Sequence, residues 1–284
     1  MFPFSCADYT FPLLPRAERF RLLKSLGFGY VDLGLFERNE GLQPSRLAIA
    51  QHAFTRELKS ELERCNLCVS DVFLQTGLDP SVAAANAPNS KVRSQNRSVF
   101  MLGLDLCRAL DCGHMTGLPG VRHRRTKLAD DVARAVEEAS WRTETAAAAG
   151  VCYSIEPHVG SLCADIKDTR RFLDSVPGLT LSLDYGHFVY AGARSQAVHS
   201  LLPFASNVHV RGGARHRLQT SVEENEIDFA GMFRRLHKQD YKGSVAIEYV
   251  WTEWKQCNST DNLSETILLR QLLTRAAMSF RSTH

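Results

Sequence analysis

The chain has 284 residues, 44% apolar and 23% charged, which suits one large α/β barrel or two small domains and supplies a sizeable core. A formal net charge of +3 and a pI near 8.4 are too mild for a nucleic-acid-binding surface and favour anionic small molecules as ligands. No apolar run reaches the ~20 residues of a membrane span, the start lacks a basic leader, and eight cysteines without a secretion signal read as reduced thiols, so a soluble cytoplasmic protein is expected.

Phe2 to Ala7 reads as a first strand and Pro12 to Leu26 as a helix stopped by Gly27 and Gly29. Tyr30 to Leu35 is a second strand, Leu47 to Cys65 a second helix with a charged outer face, and Val69 to Gln75 a third strand. Cys65 and Cys68 form an isolated CxxC with no second pair to complete a zinc site. Gly77 to Ser98, rich in Pro, Ala, Asn and Ser, reads as a long loop, a lid or a mobile segment. Val99 to Leu110 is helical, Asp111 to Met115 a short fourth strand, and Thr116 to Thr126 a loop whose Arg122, His123, Arg124 and Arg125 read as a solvated cluster. Lys127 to Gly150 is an amphipathic helix closed by glycine. Strands five and six follow, with a helix near Ile166 to Ser175 between them. Arg194 to Ala205 is read as helix, Asn207 to Arg211 as strand seven, Phe229 to Gln239 as helix, Ser244 to Tyr249 as strand eight and Asp261 to Met278 as the closing helix. Eight such alternations, with no dividing linker and no G-x-G-x-x-G after the first strand, predict a single (β/α)₈ TIM barrel over residues 1–284.

Period-two alternation assigns the faces. Val151, Tyr153 and Ile155 alternate with Cys152, Ser154 and Glu156, and Leu179, Leu181 and Leu183 with Thr180, Ser182 and Asp184. In the last two strands Asn207 and His209 oppose Val208 and Val210, and Ser244, Ala246 and Glu248 oppose Val245 and Ile247. Parity therefore places Glu156, Asp184, His209 and Glu248 in one lumen, at the carboxyl ends of four consecutive strands. Three carboxylates crowded there repel unless a cation or protons intervene. Three oxygen donors and one imidazole suit a divalent metal, Mn²⁺ first, with Mg²⁺, Co²⁺ or Zn²⁺ as alternatives.

Ile155-Glu156-Pro157, Leu183-Asp184-Tyr185-Gly186-His187, Val208-His209-Val210 and Tyr241-Lys242-Gly243 ahead of Ile247-Glu248-Tyr249 resemble the sugar isomerase/epimerase superfamily of xylose-isomerase-like TIM barrels. That superfamily also holds inosose dehydratases and zinc-dependent AP endonucleases. The resemblance is dense in the second half of the chain, specific for the superfamily and silent on the substrate. It implies a metal held by Glu156, Asp184, His209 and Glu248, with Glu156 and Glu248 removing and returning a proton on opposite faces of a ketose or keto-sugar derivative through a metal-stabilised enediolate. It further implies that His187 and Arg215 contact substrate, with Arg211, Arg217 and His158 as further candidates.

Two departures separate the chain from ketose 3-epimerases: Leu162 stands where they carry a further glutamate, and Val210-Arg211-Gly212-Gly213 lacks an aspartate common in relatives. A dehydratase or lyase with the same enolate chemistry, an AP-endonuclease-like phosphodiesterase and a non-catalytic sugar-binding barrel are the alternatives. The phosphodiesterase lacks an acidic ligand, because Ala214-Arg215-His216 replaces the Asp-Arg-His of those enzymes. The expected partner is a small sugar, with no nucleic acid and no membrane. Trp251, Trp254 and the segment from Glu253 to Asn262 line the pocket or pack against another subunit of a homo-oligomer.

Overall fold

Strands of four to eight residues alternate with helices and close on themselves. The computed structural model describes residues 3–279. The barrel strands are β1 (Phe4–Ala7), β2 (Tyr30–Phe36), β3 (Cys68–Gln75), β4 (His114–Gly117), β5 (Cys152–Ile155), β6 (Thr180–Asp184), β7 (Ala205–Val210) and β10 (Ser244–Ile247). All pair in parallel, in the closed order β1-β10-β7-β6-β5-β4-β3-β2. The expected TIM barrel is therefore the fold. Among the described residues no helix is long and apolar enough to cross a membrane.

The helices that cover the barrel are α1 (Arg16–Ser25), α2 (Pro44–Cys65), α3 (Ser90–Ala109), α4 (Leu128–Ala148), α5 (Ile166–Ser175), α8 (Phe229–Lys238) and α9 (Asn262–Ser279). Their boundaries follow from caps. Asn89, Asp165 and Asp228 each accept a backbone N–H of the first turn, at 2.9, 2.8 and 2.8 Å, which opens α3, α5 and α8. Pro44 starts α2, and Asn66 ends it in the left-handed conformation. In α8, Phe229, Met232, Phe233 and Leu236 recur at helical spacing and are all buried, so one face docks on the sheet.

Several boundaries differ from the sequence reading. The 77–98 loop ends early because the Asn89 cap starts α3 at Ser90, and Asn96 then ties the remaining loop by donating to the carbonyls of Ala83 and Ala84 at 2.8 and 3.1 Å. Strand four slides to His114–Gly117. Residues 194–205 split into α7 (Ser195–Val198) and a 3-10 turn, His199–Phe204, that contains Pro203. Two elements were not anticipated: the short α6 (Tyr185–Tyr190) and an antiparallel hairpin of β8 (Gly212–Ala214) and β9 (Arg217–Thr220).

Apolar residues from the outer strand faces, such as Val72, Met115, Ile155, Leu181, Val208 and Val245, fill the layer under the helices. The lumen instead is filled by hydroxyls and an amide. Thr116 Oγ1 lies 3.0 Å from Ser154 Oγ and 2.9 Å from Ser182 Oγ. Asn207 Nδ2 donates to Ser182 Oγ at 2.9 Å, and Ser244 Oγ donates to Asn207 Oδ1 at 2.7 Å. These bonds join β4, β5, β6, β7 and β10 across the barrel and bear out the inward parity of Ser154, Ser182, Asn207 and Ser244.

A buried ion pair anchors the turn after β1. Asp8 and Arg19 are both fully buried and 2.7 Å apart. Asp8 also accepts from the backbone N–H of Gly34 at 2.8 Å and from Asn39 Nδ2 at 3.1 Å, while Arg19 donates to Asn39 and to the Glu40 carbonyl. Tyr9 follows Asp8 and lies flat on Gly34, where an added Cβ would meet Tyr9 Cδ1 at 2.3 Å. Only glycine leaves room for that ring.

Candidate active and metal site at the carboxyl end of the barrel

The four expected ligands are all buried at one end of the lumen. Asp184 is the last residue of β6 and His209 the penultimate residue of β7, while Glu156 and Glu248 directly follow β5 and β10. His209 Nδ1 lies 2.7 Å from Glu156 Oε1 and 3.4 Å from Glu248 Oε2. Its Nε2 lies 2.9 Å from Asp32 Oδ2 and 3.1 Å from Asn207 Nδ2. The imidazole thus bridges the two glutamates on one side and an aspartate on the other. Tyr9 Oη donates to Glu248 Oε1 at 2.9 Å.

Asp184 does two things. Its Oδ1 accepts the Gly186 backbone N–H at 2.7 Å and so caps α6, while its Oδ2 takes the guanidinium of Arg211. Arg211 follows β7 on the same inward parity as His209, and its Nη2 also lies 3.2 Å from His187 Nε2 and 3.8 Å from Glu248 Oε2. His187 comes from the first turn of α6, with Nε2 3.5 Å from Asp184 Oδ2 and 4.0 Å from Glu156 Oε2. Its Nδ1 accepts the Val159 N–H at 3.4 Å. His158 Nδ1 donates to the Val159 carbonyl at 3.0 Å, and the two imidazole rings are 6.1 Å apart.

The electrostatics set the carboxylates against each other. Burial raises Glu156, the Glu248 charge raises it further, and His209 only partly offsets this. Burial also pushes Glu248 up, but the His209 and Arg211 charges hold it below the usual carboxylate range. The buried pair therefore favours a proton on Glu156 and a charge on Glu248. Asp32 is pushed up to about 7 by burial and by the Asp71 charge. His209, despite burial, is raised by Glu248 and by its bonds to Asp32 and Glu156, and a cation bound at its ring nitrogen would displace the proton this favours. Burial lowers His158 to about 4, and burial with the Arg211 charge lowers His187, which leaves both neutral.

Three groups have ligand atoms within 4.8 Å of one another: Glu156, His209 and Glu248; Glu156, Asp184 and His187; and Asp32, Asp71 and His209. Glu248 Oε2 and Asp32 Oδ1 are buried without a hydrogen-bond partner among the described residues. Orphaned carboxylate oxygens beside an imidazole are what a divalent cation satisfies, so Glu156, His209 and Glu248 fit one.

Residues 20–272 match the sequence pattern of the xylose isomerase-like TIM barrel. The chain belongs to this family. The structure of the xylose isomerase-like barrel is similar to an L-ribulose 3-epimerase (TM-score 0.76, 17% identity, 99% of this chain and 96% of that one). It also resembles a family 2 AP endonuclease from Brucella melitensis (TM-score 0.69, 19% identity, 88% and 93% covered) and a probable 3-DHS dehydratase from Bacillus anthracis (TM-score 0.66, 15% identity, 94% and 98%). At these identities the likeness is one of fold. No curated protein matches the chain.

The arginines of this barrel separate sharply. Arg211 is buried among the acids, whereas Arg215 and Arg217 stand exposed at the turn of the β8–β9 hairpin. The Arg215 N–H donates to Glu226 Oε2 at 3.1 Å, and Arg217 pairs with Glu224 at 2.9 Å. The structure does not bring them to the carboxylate cluster, because the chain leaves the lumen right after Arg211. Arg122, Arg124 and Arg125 are exposed, as expected of a solvated cluster. Leu162 is half-buried against the core, and its N–H donates to the Gly120 carbonyl at 3.0 Å.

Sequence reasoning missed Tyr9, Asp32, Asp71 and the hairpin's Gln219. Gln219 Nε2 donates to the carbonyls of Val250 and Cys257 at 3.1 and 2.7 Å, and its Oε1 accepts the Val250 N–H at 2.8 Å. It thereby holds the segment after β10. That segment brings Trp254, 45% exposed, to 6.2 Å from the His187 ring, at the mouth of the site. Asp32 and Asp71 share the inward parity of their strands, and that signal was available in the sequence.

Proposed function

We propose that this xylose isomerase-like barrel is a metal-dependent isomerase or epimerase of a ketose or keto-sugar derivative. One observation carries the reading: two buried glutamates from well-separated strands flank His209 Nδ1, at 2.7 and 3.4 Å. Paired acids of this kind are the equipment for taking a proton from one face of a carbon and returning one to the other. Glu156, His209 and Glu248 would hold a divalent cation, manganese by its tolerance of mixed oxygen and nitrogen donors. Bound, that cation would polarise a substrate carbonyl and its neighbouring hydroxyl.

The chain's own groups do the rest. Glu248, held below the usual carboxylate range by the His209 and Arg211 charges and oriented by Tyr9, is the carboxylate that accepts the proton from the carbon alpha to the carbonyl. Glu156, on the other side of His209, supplies a proton to the opposite face. His209 Nδ1 faces both acids, and between turnovers the proton gained by Glu248 and lost by Glu156 is restored by exchange with solvent. The neutral His187 and His158 offer ring nitrogens to substrate hydroxyls, and Trp254 presents a ring at the mouth. The resemblance in fold to an L-ribulose 3-epimerase supports the substrate class.

The test is solvent exchange. Protein supplied with Mn²⁺ is expected to incorporate deuterium from D₂O at the alpha carbon of at least one member of a keto-sugar panel. Glu156→Gln and Glu248→Gln should each lower the rate by about 10²–10⁴, the usual contribution of a positioned acid or base. Absence of exchange across the panel, or a near-normal rate in either variant, refutes the assignment. Elimination is the second reading, because a protonated Glu156 is equally equipped to protonate a departing hydroxyl. Loss of water from the product separates the two.

A further inference from the structure

Arg211 reaches both Asp184 and Glu248, so the positive charge between these two acids is already a side chain's. Its Nη2 touches Asp184 Oδ2, lies 3.2 Å from His187 Nε2 and lies 3.8 Å from Glu248 Oε2. Divalent ions bind oxygens at about 2.0–2.6 Å. The guanidinium in contact with Asp184 Oδ2 takes up a lone-pair direction that such an ion would need on that oxygen. The donor group of Glu156, Asp184 and His187 is likewise engaged by Arg211 at two of its three members. The group of Glu156, His209 and Glu248 contains none of the atoms that Arg211 occupies, apart from its longer approach to Glu248.

The backbone fixes Arg211 in place. It lies two residues after His209 on the same inward parity, and the hairpin begins at the next residue. The Gly212 N–H donates to Tyr249 Oη at 3.0 Å, and a Cβ at Gly212 would meet the Thr220 carbonyl at 2.5 Å. On the other side the guanidinium lies over Gly186, where a Cβ would come within 3.4 Å of Arg211 Nε and 3.0 Å of Asp184 Oδ1. Arg211 is 3% exposed and cannot be deprotonated, so it is a permanent positive charge built into the acid cluster.

We infer that Arg211 withdraws Asp184 from the metal, so that a divalent cation in this barrel is held by Glu156, His209 and Glu248 with the Arg211–Asp184 pair standing beside it. This rests on the proposed reading of those three residues as cation ligands. Asp184 becomes the anchor of a fixed guanidinium, and the guanidinium repels the ion that the remaining donors attract.

Isothermal titration of the full-length protein with Mn²⁺ tests the inference without reference to turnover. Asp184→Asn keeps the cap on α6, since asparagine still offers an oxygen to the Gly186 N–H. Asp184→Asn alone would also leave the Arg211 charge unpaired beside the ion, so the deciding variant is the charge-neutral Arg211→Gln with Asp184→Asn. Arg211→Gln alone is expected to tighten Mn²⁺ binding tenfold or more, and Asp184→Asn added to it is expected to cancel the gain and return the dissociation constant to within about threefold of the parent. A tenfold loss of affinity in the double variant overturns the inference, as does unchanged affinity in a folded Arg211→Gln protein. Should Arg211→Gln fail to fold with Asp184 left unpaired, the double variant decides alone. If His209→Ala leaves Mn²⁺ binding intact, the ligand reading itself is wrong and the inference falls with it. Lack of keto-sugar exchange with these affinities as expected refutes only the proposed reaction.

Discussion

Replacing Arg19 with methionine removes the partner of a carboxylate that has nowhere else to send its charge. Asp8 and Arg19 are fully buried, and the 2.7 Å contact between them is the one ion pair Asp8 makes among the described residues. Without it Asp8 keeps the Gly34 N–H and the Asn39 amide, which are neutral donors. Breaking one side of such a pair costs about 3–5 kcal/mol. For a chain of this size that lowers the melting temperature by about 6–10 °C. The pH dependence gives a sharper signature. Burial already raises Asp8 above the ordinary aspartate value of 3.8, and the Arg19 charge is the chief opposing influence. Removing that charge raises the folded-state pKa further. The protonated carboxyl is then the tolerated form, so the penalty is absent below 3.8 and grows as pH rises through the shifted value. Urea unfolding of Arg19→Met against the parent should therefore show a larger deficit at pH 8 than at pH 5, and adding Asp8→Asn should recover most of it. A deficit under about 1 kcal/mol at pH 8, or one independent of pH, refutes the reasoning. Because Tyr9 follows Asp8 and bonds Glu248, a destabilised turn also disturbs that carboxylate, the proposed base.

Tyr9→Phe tests that last link directly. The lost bond to an ionised acceptor is worth about 1.5–3 kcal/mol, so alpha-proton exchange should fall about ten- to hundredfold, with an unfolding free energy lower by up to that amount and an unchanged circular dichroism spectrum. An unchanged rate would dissociate Tyr9 from catalysis. At the opposite end of the barrel, Cys152 is exposed, and although burial of its surroundings raises it, bonds from His114, Thr180 and Ser206 and the His114 charge bring it down to about 7. Iodoacetamide at pH 7.5 should alkylate Cys152 ahead of the exposed Cys68, and His114→Gln should abolish the difference. Equal labelling of the two peptides by mass spectrometry would count against it.

The barrel and its four central side chains were legible because alternation has a period of two and the lumen enforces it. Glu156, Asp184, His209 and Glu248 reach one place as the parity of their strands requires. The same rule applied to Tyr30–Phe36 and Cys68–Gln75 would have found Asp32 and Asp71. Arg211 was assigned to substrate with Arg215 and Arg217, although parity places it with His209. What separated the three was the hairpin, whose antiparallel pairing is a tertiary choice of the loop. Tyr9 and Trp254 come from irregular segments, whose direction depends on anchors such as Asp8 and Gln219 far along the chain. The Gly77 to Ser98 stretch was read as loop by its composition, while a single capping asparagine determined where the helix begins.

The bonds of Gln219 give the two walls of the mouth a common fate. The hairpin after β7 carries the residues next to Arg211, and the segment after β10 carries Trp254. One side chain bonds three backbone groups of the second while belonging to the first. In barrels the connections at this end vary and set specificity. Here Gln219 ties the two connections together, so a change in one is expected to shift the other, a coupling that substitutions made singly and together at Gln219 and Trp254 would read as non-additive.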